Sequence, residues 1–173
     1  MKEFRIVILL LLVLVSSDSV SQKIQLEIND QVWKIQLQAM NTNHPEKFMS
    51  VMSDDVVQVS YSRQTIRNKT QFLNQVNTTY KKMAERKISR TMEFRFLNRI
   101  ANDSNAFEDG FFKYGLVNDK GEKQVYYGYF QVILRKENGS WKVLVDYDSE
   151  TYNGAQVTKE LFESARPMEA TDN

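Results

Sequence analysis

The chain has 173 residues, 42% of them hydrophobic and 26% charged, with two Pro and six Gly. These are the values of a single folded domain, and they exclude a disordered, collagen-like or multi-pass membrane protein. A net charge of +1 lacks the footprint of a nucleic-acid binder, the absence of Cys excludes disulfides and thiolate chemistry, and a single histidine leaves no His–His metal motif and no Ser–His–Asp triad within one chain.

Lys2 and Arg5 precede an unbroken apolar run, Ile6 to Val15, and a small polar stretch that ends Ser19-Val20-Ser21. This order reads as a signal peptide, residues 1–21, cleaved after Ser21. The apolar run, as a helix, reaches only ~15 Å, about half of a hydrocarbon core. No Cys follows it, so a lipoprotein anchor is excluded. The expected location is periplasmic or secreted, with no stable membrane anchor after cleavage.

From Ile24 to Met40 the apolar residues recur at helical spacing. Asn41 to His44 breaks that helix, and Pro45 suits the first turn of the next. The second helix is expected to run through Phe48, Val51 and Met52 and to end at Ser53-Asp54-Asp55, where aspartates cap backbone donors. Val56 to Ser60 is a short strand. A third helix begins at Thr70, with Phe72, Leu73, Val76, Tyr80 and Met83 on its apolar side and a basic end at Lys81 to Lys87. The period then changes from 3.6 to 2. Strands are expected over Ser89–Ile100, Ala106–Val117, Gln124–Lys136 and Trp141–Asp148, the last two joined by an Asn138-Gly139 hairpin. The tail, residues 151–173, holds one short helix over Val157–Ala165, stopped by Pro167. Helices followed by long antiparallel strands predict an α+β fold, with helices packed on one face of a curved sheet.

The segments "MSDDVVQVS" and "GYFQVILRKENGSWKVLVDYDSE", in this element order, resemble SnoaL-like domains and the domain of unknown function 4440. Both belong to the nuclear transport factor 2-like superfamily, the cone-shaped α+β fold shared with ketosteroid isomerase. The resemblance covers about Ile24 to Glu150 and implies a cone domain over residues 22–150. The fold hosts isomerases, cyclases, dehydratases and binding modules, so it implies no single activity. Laid on this chain, the steroid isomerase pattern puts its general-base Asp on Ser60, its oxyanion-hole Tyr on Gln36 and its protonated Asp on Gln131. None of the three can do that acid/base work, so the isomerase activity is not expected to carry over.

The same overlay aims Tyr127, Tyr129, Gln131 and Ile133 into the cone, with Lys142, Leu144, Asp146 and Asp148 beside them on the next strand. With Gln36 and Ser60 these form the expected ligand pocket. Phe130, Val132, Leu134, Trp141, Val143 and Val145 are then expected on the convex face, either as a homodimer interface or under the tail through Leu161 and Phe162. Asp146 and Asp148 share a strand face, and like charges that close raise one another's pKa, so they are the catalytic candidates. Lys142 offers the alternative of a structural ion pair with Asp146. Glu108, Lys113 and Tyr114 are candidates whose strand phase is open. His44 reads as a surface residue, and neither a metal nor a cofactor is expected. The leading expectation is an exported module that binds an unidentified small molecule. The alternatives are a lyase, isomerase or cyclase using Asp146 or Asp148, and an interaction protein with a filled cavity. A deep pocket holding an uncompensated carboxylate favours the enzyme.

Overall fold

The computed structural model describes residues 22–168; the signal sequence expected over residues 1–21 lies outside them. Helix α1 spans residues 22–41 and contains a π-helical segment, Asn29–Trp33, before its last stretch, Lys34–Asn41. In the π segment the Lys34 N–H donates to the Asn29 carbonyl, one residue further back than in an α-helix. Ile28, Asn29, Val32 and Trp33 are all buried there. Asn43 takes a left-handed φ of 56°, and Pro45 opens the short helix α2 (Pro45–Met49).

The second helix stops earlier than expected. Met52–Ser60 is strand β1, and Val51, Met52 and Val56 are core residues. Asp54 and Asp55 are therefore strand residues and not helix caps. Both are exposed, Asp54 pairing with Lys69 and Asp55 with Arg135. After β2 (Thr65–Arg67) comes α3 (Lys69–Glu85), opened by a capping box in which Asn68 and Gln71 each satisfy the other's backbone N–H. Phe72, Val76 and Tyr80, at spacing four, are its buried stripe.

Four long strands follow: β3 (Ser89–Ala101), β4 (Asn105–Val117), β5 (Lys123–Glu137) and β6 (Ser140–Ser149). The seven-stranded sheet has the order β2-β1-β6-β5-β4-β3-β9, where β9 is Arg166–Pro167. Only β1 and β6 run parallel. The helices α1 and α3 close one face of it. There the Trp33 ring sits 4.7 Å from Phe94, 5.3 Å from Phe96 and 5.2 Å from Phe130, mostly edge to face. A buried ion pair fixes the same end. Glu108 accepts from Trp33 Nε1 at 2.6 Å and from Arg99 Nε at 2.9 Å, and Arg99 also donates to Asn29 Oδ1.

Two bulges set which side chains face where. On β3, Phe96 pairs with Gly110 and Asn98 with Asp109, which leaves Leu97 over. On β6, Ile133 pairs with Val145 and Leu134 with Val143, which leaves Leu144 over. The second bulge shifts the register by one. Counted from the Asn138-Gly139 turn without it, Asp146 would face Gln131 and Asp148 would face Tyr129. With it, Asp146 pairs with Val132 and Asp148 with Phe130.

The expected faces of β5 are therefore corrected. Phe130, Val132, Leu134, Trp141 and Val143 lie in the core under the helices, not on the convex face. Tyr127 and Tyr129 lie in a second cluster with Phe111, Val157 and Phe162, where the tail covers the convex side. The tail forms the hairpin β7 (Thr151–Tyr152) and β8 (Ala155–Gln156), the helix α4 (Lys159–Ser164) and β9. The Tyr152 ring lies 4.8 Å from Tyr129, and Phe162 lies 5.6 Å from Tyr127. The tail covers part of the convex face, over Phe111, Tyr127 and Tyr129 and not over the residues expected there. No helix among the described residues is long and apolar enough to cross a membrane.

Candidate functional site

Between the helices and the sheet lies a cavity of about 350 Å³, within the range of small-ligand sites. Trp33, Phe48, Phe72, Phe94, Phe130 and Val132 are among its apolar walls, and Gln36, Gln58, Gln75 and Thr79 add neutral polar groups. Asp146 and Asp148 enter it from β6. The strand pairing gives its axis. Val132 and Asp146 stand at one end, Phe130 and Asp148 come next, and Tyr114 stands further along β4.

The two aspartates differ in their surroundings. Asp148 accepts from Ser60 Oγ at 2.9 Å and from Gln58 Nε2 at 3.1 Å, and Gln58 Oε1 in turn accepts from Arg67 at 2.7 Å. Burial raises its pKa, while the Ser60 hydrogen bond and the charges of Arg63 and Arg67 oppose the rise. Asp146 enters the lumen between Val132 and Gln58 of the neighbouring strands, and its carboxyl has no hydrogen-bond or ion-pair partner among the described residues. Burial, with the nearby Asp148 charge in second place, pushes its pKa up to about 7. A carboxyl in that state is half protonated near neutral pH and free to exchange its proton with a ligand.

The expected pocket residues divide as follows. Asp146, Asp148 and Gln36 line the cavity, and Ser60 stands behind them on Asp148. Tyr127, Tyr129 and Gln131 do not. The bulge at Leu144 sets Asp146 and Asp148 opposite Val132 and Phe130, so Tyr127, Tyr129 and Gln131 point to the other face, where the Tyr129 hydroxyl donates to Asp109 at 2.8 Å. Burial and that contact push the phenol well above its ordinary range. Lys142 makes no pair with Asp146. It is turned away and donates to the Ser50 carbonyl at 2.6 Å. Leu144 is the bulge residue itself and is not a wall of the cavity. Of the residues of open phase, Tyr114 enters the cavity, Glu108 is held at its closed end, and Lys113 pairs with Glu93. His44 is exposed in its loop, its ring against Thr42. Among the described residues no cluster of three or more His, Asp or Glu gathers that could hold a metal.

Gln58, Arg63, Arg67 and Phe112 are site residues that the sequence reading passed over. For Gln58 the signal was present, since it stands two residues before Ser60 on the same strand face. Arg63 carried no periodic signal, because the turn between β1 and β2 decides where it points.

A second cavity, of about 470 Å³, opens next to the first. Arg63, Phe112, Tyr114 and Asp148 line both. Val125, Tyr126, Tyr127, Glu150, Gln156 and Val157 complete the outer one.

No family model matches the chain, and no curated protein matches it. Solved structures do match. A conserved protein from Planctomyces limnophilus superposes with a TM-score of 0.61 at 20% identity, over 72% of this chain and 93% of its own. An NTF2-like protein of unknown function from Shewanella oneidensis gives 0.55 at 18% identity, over 69% and 93%. A ketosteroid isomerase-like protein from Erwinia carotovora gives 0.53 at 18% identity, over 71% and 95%. At these identities the likeness speaks to fold and not to activity. Helices over one face of a curved sheet, a cavity between them, and these structural neighbours together place the chain in the nuclear transport factor 2-like cone fold.

Proposed function

We propose that the inner cavity is an active site for proton transfer on a small organic substrate, with Asp146 as the acid/base. One observation carries this reading: a carboxyl enclosed in an open, largely apolar cavity with no partner of its own. Burying such a group costs stability. A site that only held a neutral apolar ligand would be served better by Asn or Leu. In this reading the Asp146 carboxylate takes a proton from a carbon beside an electron-withdrawing group and returns it to another atom of the same substrate. Asp148 is held in place by Ser60 and Gln58, and its charge helps keep the proton affinity of Asp146 high. The chemistry is of the lyase, isomerase or cyclase kind.

The binding module is the second reading. It is supported by the neutral donors and acceptors Gln36, Gln58, Gln75 and Thr79 on the walls. The filled-cavity reading is set aside, because the cavity is open.

The test is proton exchange in D2O. A panel of small enolisable ketones, lactones and enones is incubated with the protein, and deuterium uptake is followed by NMR. The wild type should catalyse uptake into at least one class. Asp146→Asn should lower the rate by about 10²–10⁴-fold, the usual share of a general base, and leave binding nearly unchanged. Uptake equal in wild type and variant removes Asp146 from the chemistry and leaves the binding module.

A further inference from the structure

We propose that the two cavities are one bilobed site for an organic acid, its apolar body in the inner chamber and its carboxylate at the waist, against Arg63 and the Tyr114 hydroxyl. The inference rests on the reading of the inner cavity as the substrate site and names the class of compound it takes.

The waist is the set of residues that both chambers share: Arg63, Phe112, Tyr114 and Asp148. Three guanidinium groups gather around it, and none has a carboxylate within ion-pair distance among the described residues. Arg63 lies exposed in the turn between β1 and β2, and its charge acts on both Asp148 and Tyr114. Arg67 donates to the neutral oxygens of Gln58 and Thr65. Arg90 is only 6% exposed; it lies 3.9 Å over the Tyr80 ring and donates to Asn43 Oδ1. The acids that line the two chambers are Asp146, Asp148 and Glu150. Both oxygens of Asp148 are already taken by Ser60 and Gln58. Arginine cannot shed its charge, and Arg63, which lines both chambers with no carboxylate within ion-pair distance among the described residues, is left to meet an anionic ligand group.

Tyr114 is the second donor. Arg90 lies beside its hydroxyl, and that charge favours the ionised phenol against the opposing effect of burial. Tyr114 lines both chambers, so its O–H can donate into the lumen. Behind it, the hydroxyl of Tyr80 is buried without a hydrogen-bond partner. The polarity of the cavity thus runs from the aspartates on β6 to the arginine side at the waist. An organic acid lying along this axis places its apolar chain, and not its charge, beside Asp146. The outer chamber, walled by Tyr114, Tyr126, Tyr127 and Val125, takes any group that extends past the carboxylate.

The test uses three probes with one body and different heads: 4-phenylbutyrate, 4-phenylbutan-1-ol and 4-phenylbutylamine. Each is titrated by calorimetry into the full chain at pH 8. The acid should bind about tenfold or more tighter than the alcohol or the amine, the usual gain of a charge-assisted hydrogen bond. Arg63→Gln, at an exposed turn position that unfolding does not complicate, should abolish that advantage and leave the alcohol unchanged. Tyr114→Phe should weaken the acid severalfold. A tighter amine, equal acid and alcohol, an acid indifferent to Arg63→Gln, or no binding by any of the three overturns the proposal. None of these outcomes touches the acid/base role of Asp146, which is read from its own titration without ligand. A normal Asp146 titration together with tight binding of the acid would sink that role and leave this proposal standing.

Discussion

Asp146 holds its proton because its surroundings offer the anion nothing. Val132 is its strand partner on one side and Gln58 on the other, and neither donates to it. The consequence for stability has a definite sign. Folding raises this pKa from an ordinary carboxylate value to about 7. A group raised in the folded state contributes its stabilisation fully below the unfolded pKa and loses it as pH rises through the folded one. The protein should therefore lose stability between about pH 4 and pH 8 on this account, by roughly 2–4 kcal/mol. Asp146→Asn keeps the shape without the charge. It should be more stable than the wild type at pH 8 and closely matched at pH 4, as read by urea unfolding at both pH values. A variant no more stable at pH 8 would mean that the carboxyl is solvated or paired.

The elements divide into those that sequence reasoning could read and those it could not. The 3.6-residue stripes of α1 and α3 and the alternation of β3 to β6 are local patterns, and they led to the right fold class. The Asn138-Gly139 turn likewise placed the β5–β6 hairpin. The extra residue at Leu144 could not be read, because a bulge leaves the composition of a strand unchanged while moving each partner beyond it by one. Asp146 and Asp148 lie beyond the bulge and line the cavity, the side on which the overlay put them. The error fell on β5, where Tyr127, Tyr129 and Gln131 exchanged faces with Phe130 and Val132. The burial of aromatic residues on both faces of β5 hid this, since either face could pass for the core. The early end of α2 has a similar origin. Phe48, Val51 and Met52 fit a helix stripe, but β1 gains a parallel partner in β6 that no local pattern announces.

Across the whole molecule, the tail covers part of the convex face. Residues 151–168 cover Phe111, Tyr127 and Tyr129. What stays open on the convex face is a row paired across four strands: Phe107, Ile133, Val145 and Val57, continued by Ile100 on β3. Ile100, Ile133 and Val57 are exposed. We propose that this row, and no longer the face of the buried Trp141, carries the homodimer. Sedimentation at micromolar concentration should show a dimer, and Ile133→Glu should give a folded monomer. A wild-type monomer would end that proposal and leave the cavity reading untouched.

One carboxyl without a partner among the described residues is poised near neutrality inside the cone. This is tested most directly by NMR titration of the protein with ¹³Cγ-labelled aspartate, the signal of Asp146 being the one missing from Asp146→Asn. A midpoint near 7 is expected for that signal. A midpoint near 4, the range of a solvated aspartate, would contradict it.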